Sequence, residues 1–139
     1  MKKLLFSLGL LFTFQMFGFT QVKKLSDLVG KWDIVGEQNT GGALEIIDSA
    51  TIYLTYQGER KRLEGYQIDF SKSPYWFDFS TRDTSSTIQI KSLLQPINEG
   101  MLKWQLFVDE DRVDHFSSSK GILYYLKKDT VLVSALTKQ

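Results

Sequence analysis

The chain has 139 residues, of which 17 are Lys or Arg, 16 are Asp or Glu, one is His and none is Cys. This length suits a single domain, and the formal net charge of +1 provides no long-range field that would attract nucleic acid or an anionic membrane surface. The lack of Cys excludes disulfides, thiolate nucleophiles and zinc–thiolate sites, and the single histidine, His115, weakens the case for a histidine–metal site. We therefore expect no cofactor, no metal and no nucleic-acid partner.

The first twenty residues have the layout of a secretory signal peptide. Lys2 and Lys3 precede an apolar run that extends to Phe14, and the residues after it are smaller and more polar. The apolar run is shorter than the roughly 20 residues that a membrane-spanning helix needs. We predict a signal peptide over residues 1–20 and an exported mature domain over residues 21–139, periplasmic or secreted, with no transmembrane segment.

Apolar and polar residues alternate with a period of two through most of the mature chain, and this pattern predicts strands with one buried face. Turn formers such as Gln57-Gly58 and Pro96-Ile97-Asn98-Glu99-Gly100 separate the alternating segments by the short connections that hairpins use. Only residues 24–29 have a helical pattern. We predict an all-β domain: a single antiparallel up-and-down β-barrel of about eight to nine strands with a short N-terminal helical turn. The alternating segments are 32–37, 51–56, 66–70, 88–91, 102–108 and 122–127.

The alternation also predicts which side chains face the interior. Closure as two stacked sheets is the alternative, but a Greek-key sandwich needs a long crossing connection that the sequence lacks. Eight strands enclose a volume that side chains fill or that holds one small ligand, and both outcomes stay open. The candidate ligand-lining residues are Ile34, Leu54, Tyr66, Ile68, Phe77, Phe79, Ile90, Trp104, Leu106 and Tyr124.

The segment Leu25-Ser26-Asp27-Leu28-Val29-Gly30-Lys31-Trp32 resembles the start of a lipocalin, where a short helical turn precedes Gly-x-Trp in the first strand. Residues 66–78 are similar to a strand and Ser/Lys-Pro turn of the small secreted bacterial lipocalin-like domain family. Residues 112–128 are similar to the closing element of that family, a turn that leads to an apolar strand. Val113 and Lys128 stand where that family has Pro and Arg. The resemblance implies a lipocalin-like barrel that binds a small molecule, more than it implies any defined reaction.

The resemblance also implies a structural role for four residues. In lipocalins the Trp of Gly-x-Trp closes one end of the barrel, and a basic side chain of the last strand lies across its ring. Gly30 and Trp32 match the first feature, and Lys127 or Lys128 matches the second. Such a cation–π contact contributes ~1 kcal/mol when it is partly shielded. It is weaker with Lys than with Arg, because the ammonium lacks the flat guanidinium.

No group of residues has the pattern of an active site, so we predict that the protein is not an enzyme. Asp114, His115 and the serines at 117–119 supply the residue types of a hydrolytic triad, but neighbours on a strand point to opposite faces, and a solvated polar loop is favoured. The acidic run 109–111 lacks the spacing of a calcium loop and is interpreted as a charged hairpin tip. The basic run 60–62 would suit an anionic head group, but flanking glutamates favour a solvated turn.

An aromatic cluster lies between Tyr75 and Phe79, where four of five residues are aromatic. Trp76 must point opposite to the other three, because side chains alternate along a strand. Either Trp76 packs beneath the N-terminal turn or a neighbouring loop, which is the favoured interpretation, or it belongs to an exposed surface that meets a partner.

These observations predict an exported lipocalin-like protein that binds a small, largely apolar molecule non-covalently in its barrel. The first alternative is a protein-interaction module of the cell envelope, with a solid barrel and an exposed aromatic patch. The second alternative is an enzyme at the barrel mouth, built around His115 or a pair of carboxylates.

Overall fold

The computed structural model describes residues 22–36 and 41–130. The predicted signal peptide, residues 1–20, lies outside the described residues. Within these ranges the chain forms one short 3-10 helix, Leu25–Leu28, followed by strands. The strands are β1 (Gly30–Val35), β2 (Ala43–Asp48), β3 (Thr51–Tyr56), β4 (Glu59–Arg62), β5 (Gly65–Asp69), β6 (Tyr75–Arg82), β7 (Thr87–Asn98), β8 (Met101–Phe107) and β9 (Ile122–Lys128).

All of these strands belong to one antiparallel sheet with the order β4-β3-β2-β1-β9-β8-β7-β6-β5. Each strand pairs with its neighbour in sequence, except that β1 pairs with β9 and no ladder joins β4 to β5 among the described residues. The chain therefore meanders, and its last strand returns to its first. The predicted all-β antiparallel fold of eight to nine strands with a short N-terminal helical turn is confirmed.

The sheet curls into a barrel-like shape because its two edge strands follow one another in the chain. β4 ends at Arg62 and β5 begins at Gly65, so only Leu63 and Glu64 connect the two edges. Three Cα steps span at most about 11 Å. The two edges of the curled sheet are therefore joined by this two-residue connection, and no ladder pairs β4 with β5 among the described residues.

The two corner residues hold both edges in place. The Leu63 N–H donates to the Ile52 C=O at 2.9 Å, and the Glu64 N–H donates to the Ser80 C=O at 3.2 Å. The backbone thus leaves its pairing with β3 and begins its pairing with β6 within two residues. The Leu63 side chain is buried in the core, so the corner is fixed by packing as well as by hydrogen bonds.

The core fills the inside of the curl and is centred on aromatic rings. The Trp104 ring centroid lies 6.1 Å from that of Phe77, 5.8 Å from that of Phe79 and 6.4 Å from that of Tyr124. These separations are typical of favourable aromatic pairs. The buried core residues are Leu25, Leu28, Trp32, Ile34, Leu44, Ile46, Ile52, Leu63, Phe77, Phe79, Leu94, Leu102, Trp104 and Leu126.

Three expectations about connections are wrong. The basic run 60–62 lies in strand β4 and not in a turn, because charged residues are well tolerated on an edge strand. The turn expected around Pro96 is confined to residues 99–100, because Pro96 itself lies in strand β7. The pairing of β7 with β6 ends at Leu94, so Pro96 needs no N–H for a bond to β6. The acidic run 109–111 is not a hairpin tip but lies near the start of a long connection, residues 108–121, between β8 and β9.

Candidate functional site

One end of the curled sheet is closed by the N-terminal segment. The Trp32 indole N–H donates to the Leu28 C=O at 2.9 Å, and the Tyr75 hydroxyl donates to the Val22 C=O at 2.8 Å. Leu28 and Trp32 are almost completely buried. The 3-10 helix is thereby fixed across the barrel end, which we call the closed end.

The Lys128 ammonium lies over the Trp32 ring, with Nζ 5.5 Å from the ring centroid. This is the contact that the sequence predicts for one of the two lysines, whereas Lys127 is exposed on the opposite face. Gly30 makes room for it: a Cβ on Gly30 would lie 2.9 Å from the Lys128 Cε, and its φ of +142° is one that other residues rarely adopt. The arrangement supports the closed end and leaves the ring no free face on that side.

A surface cavity of about 560 Å³ lies at the closed end. None of the ten predicted ligand-lining residues contributes to its wall. The wall combines apolar residues with charged and polar ones: Asp27, Ser73, Gln95, Asn98, Glu99 and Lys128. Its apolar residues are Val22, Leu28, Trp32, Pro74, Tyr75, Leu94, Pro96 and Leu102.

At the other end, the inward-facing side chains become progressively exposed. On β3, Ile52 is 1% exposed, Leu54 is partly buried, and Tyr56 is 52% exposed. On β9, Leu126 is fully buried and Ile122 is 46% exposed. The inward-facing side chains are therefore more buried toward the closed end and more exposed toward the other end, which we call the mouth. The inward-facing apolar residues of the mouth are Leu54, Tyr56, Ile88, Ile90, Leu106, Ile122 and Tyr124.

The structure brings the ten predicted ligand-lining residues together on the inner face of the sheet. They separate into two levels by burial. The buried ones form the packed floor: Ile34, Phe77, Phe79 and Trp104. The others are only partly buried and pack against that floor: Leu54, Tyr66, Ile68, Ile90, Leu106 and Tyr124.

A buried serine fixes the orientation of the floor. The Trp104 indole N–H donates to the Ser92 Oγ at 2.9 Å, and the Ser92 hydroxyl donates to the Phe77 C=O. Ser92 is fully buried, so these hydrogen bonds have no competition from water. The sequence analysis did not single out Ser92, although it follows Ile90 at the two-residue spacing of an inward position.

Two phenols and one ion pair supply the polar groups of the mouth. Burial raises the pKa of Tyr124, and the charge of Tyr56 raises it further. Lys61 lies opposite Leu54 and Glu59 lies opposite Tyr56 in the β3–β4 ladder, so both face inward. The Lys61 Nζ is 3.1 Å from the Glu59 carboxylate.

The outer face of β7 and β8 is covered by the 108–121 connection. The Gln105 amide nitrogen donates to the carbonyls of Ser117 and Lys120, at 2.7 Å each. Leu93 pairs with Gln105, and Phe107 pairs with Lys91, so both apolar side chains lie on the outer face. Both are nevertheless buried. The connection therefore forms a second layer, which the short hairpin expected from the sequence would not have provided.

Trp76, the outward-facing member of the aromatic cluster, is covered by this same layer. The Arg112 guanidinium carbon lies 3.8 Å from the Trp76 ring centroid, and the guanidinium donates to the Asp78 carboxylate. The Lys72 ammonium approaches the ring as well, at 4.8 Å. Trp76 thus packs beneath a neighbouring loop and not beneath the N-terminal turn.

The residues of the suspected triad do not assemble. The His115 Nδ1 lies 2.6 Å from the Asp114 carboxylate, but both side chains are largely exposed, at 76% and 83%. The Ser117 Oγ accepts the backbone N–H groups of Ser119 and Lys120, as in a tight turn. Within the described ranges, no group of three or more His, Cys, Asp or Glu is placed to hold a metal ion.

No helix among the described residues is long and apolar enough to cross a membrane. Comparisons of the chain with protein-family models, with curated proteins and with solved structures each find no match. The resemblance to lipocalins therefore rests on its sequence segments alone.

Proposed function

We propose that the protein is exported and binds a small, largely apolar molecule non-covalently in the mouth of its barrel, as a lipocalin-like domain. The observation that carries this proposal is the gradient of exposure along the inward-facing side chains. Leu54, Ile90, Leu106 and Tyr124 are only partly buried, although each belongs to the inner face of the sheet. Contact of these side chains with an apolar ligand stabilises the complex, because each Å² of apolar surface removed from water contributes about 25 cal/mol of favourable free energy.

The packed floor sets the depth available to the ligand. Trp104 is held by Ser92 and by the surrounding rings, so a ligand is confined to the levels above it. A rigid floor lowers the cost of ordering the site, because little side-chain freedom remains to be lost on binding. The bound molecule is accordingly one that enters from the mouth and leaves the closed end intact.

Nile red, a neutral apolar dye whose emission rises in apolar surroundings, tests the proposal directly. We expect saturable binding to the purified mature domain. Leu106→Gln, which places an amide on the inner face of the mouth, should weaken binding at least about fivefold.

The matched control is Leu123→Gln, the same change on the neighbouring strand β9 but on the outer face. Leu123 is 39% exposed and pairs with Gln105, so this variant should bind Nile red like the wild type. Equal binding by the two variants, or no saturable binding by the wild type, would overturn the proposal. The first of these outcomes would place the dye elsewhere, for example in the cavity at the closed end.

A further inference from the structure

We infer that two copies of the chain form a two-fold dimer through the outer face of strands β1 and β9, with both barrel mouths open on the same side. This inference goes beyond the proposed function, because it concerns the outer face of the sheet and not the mouth. It is drawn from the side chains that these two strands present to solvent, which match a second copy of themselves in polarity and in charge.

The outer face of β1 and β9 carries an exposed apolar patch. Val35 lies directly opposite Tyr125 in the β1–β9 ladder, and Leu123 shares the face of Tyr125 at the two-residue spacing of a strand. Val35, Tyr125 and Leu123 are 37%, 40% and 39% exposed. β1 and β9 lie in the middle of the sheet, so this patch is not an edge effect. Contiguous exposed apolar side chains of this kind are typical of an interaction surface.

A row of charged side chains borders the patch on the side of the closed end. Asp33 lies opposite Lys127 in the same ladder, one outward position away from Val35 and Tyr125. The Lys31 Nζ is 3.3 Å from the Asp33 carboxylate, whereas the Lys127 ammonium has no ion-pair partner in the part of the chain that the structure describes. β1 thus presents a carboxylate and then an apolar side chain, and β9 presents an ammonium and then an apolar side chain.

A two-fold axis between β1 and β9, parallel to the strands, makes this surface complementary to itself. Such an axis places β1 of each copy over β9 of the other and keeps the two rows level. Asp33 then faces Lys127 of the second copy, and Val35 faces Tyr125 of the second copy, each contact being made twice. An axis perpendicular to the strands would instead set the charged row against the apolar row. With the axis parallel to the strands, the two mouths open in the same direction.

The outer face of a curled sheet is convex, so the contact is confined to β1, β9 and their immediate neighbours. A small interface gives a weak association, and we expect a Kd of ~100 μM. The domain is accordingly monomeric at the low micromolar concentrations that suit dye binding and urea denaturation.

Exchange of the two charges tests the geometry by sedimentation velocity at protein concentrations on both sides of that Kd. Asp33→Lys sets two ammonium groups against each other at both contacts, and Lys127→Asp sets two carboxylates against each other. Each variant alone should therefore have a Kd raised at least about tenfold. An equimolar mixture of the two variants should associate like the wild type, because every introduced charge then faces a charge of opposite sign. The double variant Asp33→Lys/Lys127→Asp should associate like the wild type as well.

The apolar row is tested by Val35→Glu, which should raise the Kd at least about tenfold. Ile97→Glu is the matched control, since Ile97 is a comparable apolar side chain, 42% exposed, on strand β7, and it should leave the Kd unchanged. The inference is overturned if the wild type stays monomeric throughout, if the mixture of charge variants associates no better than each variant alone, or if the two glutamate variants associate equally. Nile red binding by every variant checks that its fold is intact.

Discussion

Gln105 and Ser117 exchange two hydrogen bonds on the outer face of the sheet. The Gln105 amide nitrogen donates to the Ser117 C=O at 2.7 Å, and the Ser117 N–H donates to the Gln105 amide oxygen at 2.9 Å. Gln105 is only 1% exposed. One buried side chain thus fastens the C-terminal part of the 108–121 connection to β8, beside the buried Leu93 and Phe107.

Replacement of this side chain should therefore be costly. Gln105→Ala leaves the polar groups of Ser117 and the Lys120 C=O without their partner, and we expect a loss of about 2–3 kcal/mol in the free energy of unfolding, measured by urea denaturation. Gln95→Ala is the control, since Gln95 is exposed on the adjacent strand, and it should change stability by less than about 0.5 kcal/mol. Equal stability of the two variants would show that the layer is not held by Gln105.

The buried serine of the floor gives a second prediction. Ser92→Ala removes the acceptor of the Trp104 N–H and the donor to the Phe77 C=O, so the free energy of unfolding should fall by about 1–3 kcal/mol. Ser80→Ala, on the neighbouring strand β6, should cost less, because the Ser80 hydroxyl makes only a long 3.4 Å bond in an exposed setting. If both variants unfold at the same urea concentration, the hydrogen bonds of Ser92 contribute nothing to the floor.

The two C-terminal lysines of β9 should respond differently to substitution. Lys128→Met removes the charge over Trp32 and should lower the free energy of unfolding by about 0.5–1 kcal/mol. Lys128→Arg should raise the free energy of unfolding by roughly a few tenths of a kcal/mol, because a guanidinium stacks on the Trp32 ring more effectively than an ammonium does. Lys127→Met is the matched control and should leave stability unchanged, since Lys127 is exposed. A loss of similar size in both methionine variants would contradict a specific contact with Trp32.

Alkaline pH should destabilise the mouth through Tyr124. Its pKa is raised above the ordinary value by burial and then by Tyr56, so the unfolded chain releases the phenolic proton more readily than the folded one. The corresponding stability is fully present below the unfolded pKa of about 10 and is lost as the pH rises through the folded pKa.

Urea denaturation at a series of alkaline pH values measures this loss. In Tyr124→Phe, the free energy of unfolding should decrease less steeply above a pH of about 10 than it does in the wild type. Tyr125→Phe, at an exposed position on the outer face, should leave the decline as in the wild type. A decline that persists unchanged in Tyr124→Phe would assign it to other groups.

Much of the fold follows from the order of residues along the chain. Alternation predicts the inner face correctly on β3, β6, β8 and β9, as the common placement of Leu54, Phe77, Trp104 and Tyr124 demonstrates. The prediction fails for residues 60–62, because a run of charges is equally compatible with a turn and with an edge strand. It also fails for the 108–121 connection, whose anchor Gln105 is a polar residue at an outward position.

The position of Lys61 could not be found from its sequence neighbours. Its inward direction follows from the register that sets it opposite Leu54, and its place in the basic run 60–62 gives no sign of this. A shift of that register by one residue would send the amine to the outer face. Register is set by the turn at Gln57-Gly58, where both residues have positive φ, and by packing across the sheet.

The sequence by itself determined most of the strands and the two faces of each of these, because the direction of a side chain along an extended backbone is a local property with a period of two. Only the tertiary structure decided which part of the inner face is packed and which is open. That outcome depends on neighbours from distant strands and on the 3-10 helix that covers one end, and residues far apart in the chain carry no local signal of their meeting.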